Sequence, residues 1–307
     1  MIRAGIIGGS NPMAGELIRL LVNHPDVDIV WVHSARYAGR LISDVHHGLL
    51  GETDLRITSA VDLDSINVLF IFRHKGQTIE WLKDRVIPKN LRIIDLSVDM
   101  QDPDVANEHD FVYGLPELNR KVLVRGAKRA IVPHPVAALC ALSLLPLAKD
   151  EALHSMLHAD VCGPRLGEIP EKTLDDISRE IAFALKELHP TFNQQIEIGT
   201  ANTSFDRAMM LTARLPINLD IADITRRYRE FYDDHNFVFI VNAIPDAKEV
   251  EGTNKCLIHL DKQNGELQVT AIMDALLKGA AGSAVHVMNL LFGLIERTGL
   301  ALKASTF

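Results

Sequence analysis

The chain has only three cysteines in 307 residues, Cys140, Cys162 and Cys256. They are too few and too widely spaced for a disulfide framework or a zinc cluster. A reduced, cytoplasmic protein with no metal site is the expectation. Basic residues are not in excess: 32 Lys and Arg stand against 40 Asp and Glu, a formal net charge of −8. That balance excludes the cationic footprint of a nucleic-acid binder. No apolar run reaches the ~20 residues that a membrane span needs. The opening Met1-Ile-Arg-Ala-Gly-Ile-Ile-Gly8 runs into a turn without a cleavage site, so it reads as a strand and not as a signal peptide. Internal repeats and low-complexity segments are also missing.

What remains is an ordinary globular composition, 47% hydrophobic and 23% charged, in a chain long enough for two cores. The first third alternates strand and helix. Ile2–Ile7, Asp28–His33, Val68–Phe72 and Arg92–Leu96 are short apolar runs of the kind buried on both faces of a parallel sheet, and Glu16–Asn23 carries Leu17, Leu20 and Leu21 at helical spacing. This pattern implies a doubly wound, Rossmann-type α/β domain. From about residue 155 the strands lengthen and gain a polar face (Met209–Leu215, Phe237–Val241, Lys255–Leu260, Leu267–Ile272), between helical segments Leu174–Leu188 and Ile221–Tyr232. That implies a second, α+β domain around an antiparallel or mixed sheet. Gly282–Leu294 is apolar at helical spacing and is expected to return to the first domain. The expected division is 1–132 with 282–307, and 133–281.

Two stretches of the first domain are candidates for a nucleotide. In Gly8-Gly-Ser-Asn-Pro-Met-Ala-Gly15, glycines at both ends let backbone N–H groups and a helix N-terminus approach a pyrophosphate. Gly8, Ser10, Asn11 and Gly15 are the residues concerned. Asn11-Pro12 breaks the glycine pattern, adding bulk and removing one donor. A weakened or lost site, or a bare strand–helix turn, reads equally well. After the second strand, Ser34 and Arg36 occupy the place where a ribose 2′-phosphate is held, which favours NADP; the alternative is a solvated loop arginine. Further on, Arg129–Lys149 reads as a strand, a turn at Pro133-His134-Pro135, and an apolar helix.

Seven stretches, Leu17–Asp26, Tyr37–His46, Ile94–Asp99, Phe111–Arg120, Thr253–Leu260, Leu276–Ala280 and Ala284–Asn289, together resemble the N-acetyl-γ-glutamyl-phosphate reductases of arginine biosynthesis. The resemblance implies a fold shared with aspartate-semialdehyde dehydrogenases, NADP as cofactor, and a homodimer or homotetramer built on the central sheet. It also implies a nucleophilic cysteine in an Asn-Pro-Gly-Cys turn and a His-x-His-x-Pro-Glu-Ile run supplying the acid and base. On this chain the cysteine position falls on Pro135, and the two histidine positions fall on Asp175 and Ile177; only Glu180 and Ile181 of that run match.

Other positions depart as well. The substrate arginine is replaced by Met100 and Gln101, the Pro-His-Gly turn reads His74-Lys75-Gly76, and a Gly-rich loop has become Cys162-Gly-Pro-Arg-Leu-Gly167. Ala275 stands where the resemblance implies asparagine. Lys278 and Gly279 survive as cofactor-segment residues and Arg207 as a phosphate-site residue. Cys162 or His134 stands in for the lost groups; otherwise Cys162 is a small buried cysteine and His134 a solvated helix-entry histidine. Three functions remain open: a reductase of this family impaired in thioester chemistry, a catalytically silent binding or structural partner of an active paralogue, and a non-covalent redox enzyme with an unknown small-molecule ligand.

Overall fold

The computed structural model describes residues 1–74, 76–97, 99 and 103–304. Lys75, Met100 and Gln101, singled out above, lie outside the described residues. The chain divides into two units, Met1–Pro133 with Ala280–Ala301, and His134–Gly279 with the tail from Leu302.

In the first unit β1 (Ile2–Ile7) leads through α1 (Pro12–Val22) to β2 (Val27–His33), and the short β3 (Ile57–Thr58) follows. Then come β4 (Val68–Ile71), α2 (Gln77–Lys83), β5 (Arg92–Asp95), α3 (Pro103–Glu108), β6 (Val112–Tyr113), α4 (Pro116–Val124) and β7 (Arg129–Ile131). The seven strands form one sheet in the order β3-β2-β1-β4-β5-β7-β6, every pair parallel. The chain reverses direction across the sheet beside β1, and open α/β sheets bind ligands at the carboxyl ends of strands flanking such a reversal. Helix α1 begins at Pro12, four residues earlier than the apolar spacing alone predicts, because proline needs no N–H at a first helical position and Asn11 caps it.

The run Ile94–Asp99 has a structural use here. The Asp99 carboxylate accepts N–H groups from Gly76, from Thr78 (2.8 Å) and from Ile79 (3.3 Å), which caps α2 across the sheet. Asp95, wholly buried, accepts from the Ser97 hydroxyl at 2.8 Å. Burial pushes its carboxyl up to about 8, so it is neutral at pH 7.

Later in the chain α8 (Gly282–Leu291), buried on every side, packs against α1, α4 and β5 of this same unit. Asn289 organises that packing. His24 Nδ1 accepts the Asp26 N–H at 3.2 Å, so its Nε2 carries the proton and donates to Asn289 Oδ1 at 3.1 Å. Asn289 Nδ2 then donates to the carbonyls of Glu296 (3.1 Å) and Thr298 (2.8 Å). Burial holds His24 below its ordinary pKa, as this neutral tautomer requires.

The second unit opens with α5 (Pro135–Lys149) and continues through β8 (Leu157–Gly163), α6 (Glu171–Lys186), β9 (Ile196–Asn202), β10 (Ala208–Pro216), α7 (Ile221–Tyr232), β11 (Val238–Val241), β12 (Cys256–Gln263) and β13 (Glu266–Asp274). The six strands run in the order β11-β12-β13-β10-β8-β9. The sheet is mixed: the outer pairs β11·β12 and β8·β9 are parallel and the inner pairs antiparallel. Strand β9 is not visible in the sequence pattern because, as an edge strand, it has no buried residue to mark its alternation.

Helix α5 is buried almost throughout and carries Pro146 in its interior. A proline there leaves the carbonyl four residues earlier without its donor. That carbonyl belongs to Leu142, and Tyr232 of α7 donates its hydroxyl to it, while Tyr228 donates to the neighbouring Ser143 carbonyl at 2.7 Å. Tyr232→Phe is therefore expected to leave a buried carbonyl unpaired and to cost about 1–3 kcal/mol. Urea unfolding should show a lower midpoint at unchanged slope; an unchanged midpoint would mean that the bond contributes nothing.

Candidate functional site

The glycine turn after β1 is built by close contacts. Gly8 has φ +80°, and a Cβ there would lie 1.9 Å from the Phe72 carbonyl oxygen. Only glycine fits. At Gly15 a Cβ would meet His46 Nδ1 at 2.5 Å, and His46 Nε2 bonds the Gly9 carbonyl at 2.7 Å. Gly15 thus makes room for a histidine that steadies the turn, a contact to which no sequence motif points. Several N–H groups are used internally: Gly9 donates to the His33 carbonyl, Asn11 to the Gly8 carbonyl, and Met13 to Asn11 Oδ1, each at 2.9 Å. Pro12 has none. Among the described residues the N–H groups of Ser10 and Ala14 have no protein acceptor. The turn therefore keeps a glycine cradle with two free donors at a helix N-terminus, which fits a pyrophosphate with fewer bonds than a fully glycine-rich loop offers.

At the end of β2, Ser34 is buried and donates its hydroxyl to Ser10 Oγ at 3.3 Å, joining two of the sequence-predicted residues. Arg36 is exposed, with its guanidinium 5.2 Å from the Tyr37 ring centroid. Three further nitrogen-bearing groups were not anticipated: the His33 imidazole at the end of β2 and the guanidinium groups of Arg73 after β4 and Arg85 after α2. Burial and the two nearby arginines hold His33 below its ordinary pKa.

In the second unit the candidate residues are centred on the start of α5. Pro135 is its first residue and His134 its cap. The His134 ring accepts the Val136 N–H at Nδ1 (3.2 Å), and its backbone N–H donates to Glu180 Oε1 at 3.0 Å. Glu180, on α6, is buried. The imidazole is therefore neutral with its proton on Nε2, and burial holds its pKa down to about 4. This corrects the expectation of a solvated turn histidine. A Cβ at Gly279 would lie 3.0 Å from the Pro135 Cβ and 3.5 Å from Met273 Cε, so the proline ring packs onto the π-helical turn Leu277–Ala281.

That packing also places the cysteines. Met273 marks the sheet face that meets Pro135, and Met209 pairs with it. Cys162 pairs with Met210, the next residue along, and so lies on the opposite face. It is a strand residue of β8 and not a loop residue beside the lost nucleophile, and burial raises its thiol pKa. Cys140 is buried within α5, its thiol pushed up to about 12, and Cys256 is buried in β12. Asp175 is exposed and Ile177 buried on α6, about 200° apart around the helix, so Asp175 points away from the stripe that packs on α5.

Arg207 is committed elsewhere. Its Nε and Nη2 bond the two oxygens of Asp274 at 2.8 and 3.4 Å, and Asp274, fully buried, also accepts the N–H groups of Gly252, Leu276 and Leu277. Lys278 is buried beside Gly279, its Nζ 5.9 Å from the Phe237 ring centroid.

Residues 3–125 match the family described as semialdehyde dehydrogenase, NAD binding domain, and residues 178–275 match semialdehyde dehydrogenase, dimerisation domain. The N-acetyl-gamma-glutamyl-phosphate reductase of Parabacteroides distasonis is 43% identical over 325 aligned positions, covering 100% of both chains. That of Bacteroides thetaiotaomicron is 41% identical with the same coverage. The alignments are longer than this chain by about 18 positions, so it lacks short segments that these relatives have. In fold, aspartate semialdehyde dehydrogenase II from Vibrio cholerae superposes with a TM-score of 0.70 over 95% of this chain and 99% of that one, at 11% identity. The Candida albicans enzyme, solved with NADP, gives 0.70 over 95% and 98%, at 12% identity. With more than two-fifths identity to a relative over its whole length, the chain belongs to the N-acetyl-gamma-glutamyl-phosphate reductase family.

Proposed function

We propose that the chain is a homo-oligomeric, cytoplasmic, nicotinamide-dinucleotide-binding member of this family that does not perform acyl-phosphate reduction through a covalent thioester. One observation carries the reading. The first residue of α5 is Pro135, seated against Gly279, so the helix start carries no thiol; Cys162 lies on the opposite sheet face, and Cys256, which pairs with Met273 and shares its face, is fully buried within β12. Gly8, Gly15 and the N–H groups of Ser10 and Ala14 would hold the pyrophosphate, with Asn11 and Pro12 weakening the grip, and Ser34 and Arg36 favour NADP. Bound dinucleotide would supply or accept hydride. Binding without turnover, in a homodimer or beside an active paralogue, is the use that fits a kept scaffold with a replaced nucleophile.

His134 favours a second reading. A neutral imidazole with Nδ1 taken by a helix N–H offers its Nε2–H as a hydrogen-bond donor to a carbonyl oxygen. Such a donor would serve non-covalent reduction of a carbonyl by hydride. NADPH oxidation by a panel of small aldehydes and ketones, abolished in His134→Ala, would support it.

Phosphate-dependent NADP reduction with an N-acylglutamate semialdehyde is expected to be undetectable. Pro135→Cys should fold, react with thiol reagents and remain inactive, because the expected acid–base positions hold Asp175 and Ile177, the His134 Nδ1 is taken by the helix cap, and an acid–base group is typically worth 10²–10⁴-fold. Turnover near the ordinary ~10 s⁻¹ in either protein would overturn the reading. Light scattering at micromolar concentration should return at least twice the 34.0 kDa chain mass; a monomer would remove the oligomeric part.

The His134 environment has a signature in stability. Its folded pKa of about 4 lies below the ordinary ~6.5, so between those values the unfolded chain takes up a proton that the folded chain refuses. The contribution is complete above about pH 6.5 and is lost as the pH falls towards 4. His134→Asn keeps a capping side chain and should flatten this acid slope in denaturant titrations; an unaltered slope would show the histidine to be freely protonated.

A further inference from the structure

The first unit holds two guanidinium groups and a neutral imidazole that form no ion pair among the described residues. Trp81, buried on α2, has guanidinium groups approaching its ring from two residues, Arg73 with Cζ 5.8 Å and Arg85 with Cζ 4.4 Å from the centroid. Arg85 also donates to the Trp81 carbonyl at 3.1 Å. Arg73 makes no hydrogen bond or ion pair with any described residue, and its Nε is sealed from solvent without a partner. His33 Nδ1 is sealed and unpartnered too. Burial lowers the pKa of both Arg73 and His33, and the groups also feel one another: Arg85 depresses Arg73, and both arginines depress His33. Partly desolvated like charges are unfavourable neighbours unless an anion joins them. Glu80 on the same helix attracts Arg73 but forms no ion pair with it among the described residues.

The position of the group in the sheet selects the anion. His33 ends β2 and Arg73 follows β4, the strands on either side of β1. Pyrophosphate belongs to the turn after β1 and the N-terminus of α1, whereas the end of β2 faces the adenosine ribose. The Ser34–Ser10 hydroxyl bond joins these two places. Guanidinium is the side chain best matched to a phosphate monoester, which it grips through two parallel bonds.

We propose that Arg73, Arg85 and His33 form a binding site for a phosphate monoester on the ribose of adenosine, so that residues beyond β4 and α2, and not only the loop after β2, select the 2′-phosphorylated form of the cofactor. This rests on the dinucleotide reading and names what that reading leaves open.

Calorimetry on the full chain with 2′,5′-ADP, 5′-AMP, inorganic phosphate and NADPH tests it. The unmodified protein should bind 2′,5′-ADP at least about tenfold more tightly than 5′-AMP, the size of one charge-assisted hydrogen bond. Arg73→Met and Arg85→Met should each move that ratio towards one while leaving 5′-AMP affinity unchanged. Arg85 is exposed, so its variant is expected to fold even if Arg73→Met does not, and circular dichroism checks both. Lack of preference in the unmodified protein, a preference that survives both substitutions, or inorganic phosphate binding as tightly as 2′,5′-ADP would each overturn the site. Selective binding of 2′,5′-ADP with no added affinity for NADPH would support the site and remove the dinucleotide reading.

Discussion

The start of α5 is the constraint on which the proposed loss of thioester chemistry rests. A helix N-terminus stabilises a thiolate because its first N–H groups and its dipole face the charge. Here part of those resources is missing or already used. Pro135 has no N–H, the Val136 N–H goes to His134 Nδ1, and the His134 N–H goes to Glu180. A cap of this kind satisfies the helix from within and makes it stable without a ligand. It also leaves the position least suited to a nucleophile at the place where relatives are expected to carry one.

Within each unit the scaffold is held by buried polar groups. Tyr232 answers the carbonyl that Pro146 frees, Asp274 collects three backbone N–H groups and Arg207, and Asn289 ties α8 to His24 and to two carbonyls. Removing one member of such a network exposes the desolvation cost of the others. The same logic explains why Arg207 reads as a ligand residue in the sequence and as a structural one in space. The nucleotide-facing turn differs from these networks. Among the described residues it leaves the Ser10 and Ala14 N–H groups without protein acceptors, and the guanidinium groups around Trp81 form no ion pair. Unclosed polar groups of this kind are where a ligand can be accommodated.

Much of the fold was legible in the sequence because it rests on local periodicity. The continuous apolar runs of β1, β4 and β5 announce strands buried on both faces, and the alternation in β10 and β13 announces a half-exposed sheet. Pro135 reads as a helix start for a local reason, its fixed φ and missing N–H. Strand β9 and the parallel pairing of the sheet's outer strands were not legible, since pairing direction is set by partners far along the chain.

The sequence by itself determined the two kinds of sheet, the family, and the absence of cysteine and histidine at the expected positions. Only the tertiary structure decided which residues share a face and which charges are met. Cys162 is near Pro135 in neither sense that matters, because adjacent strand residues point to opposite faces and the register with Met210 fixes which one. His134 is neutral because of the helix it caps and the burial around it, and Arg73, Arg85 and His33 meet because β2, β4 and α2 bring together positions up to 52 residues apart. Charge and reactivity depend on solvent exclusion and on neighbours distant in sequence, and neither is written in local pattern.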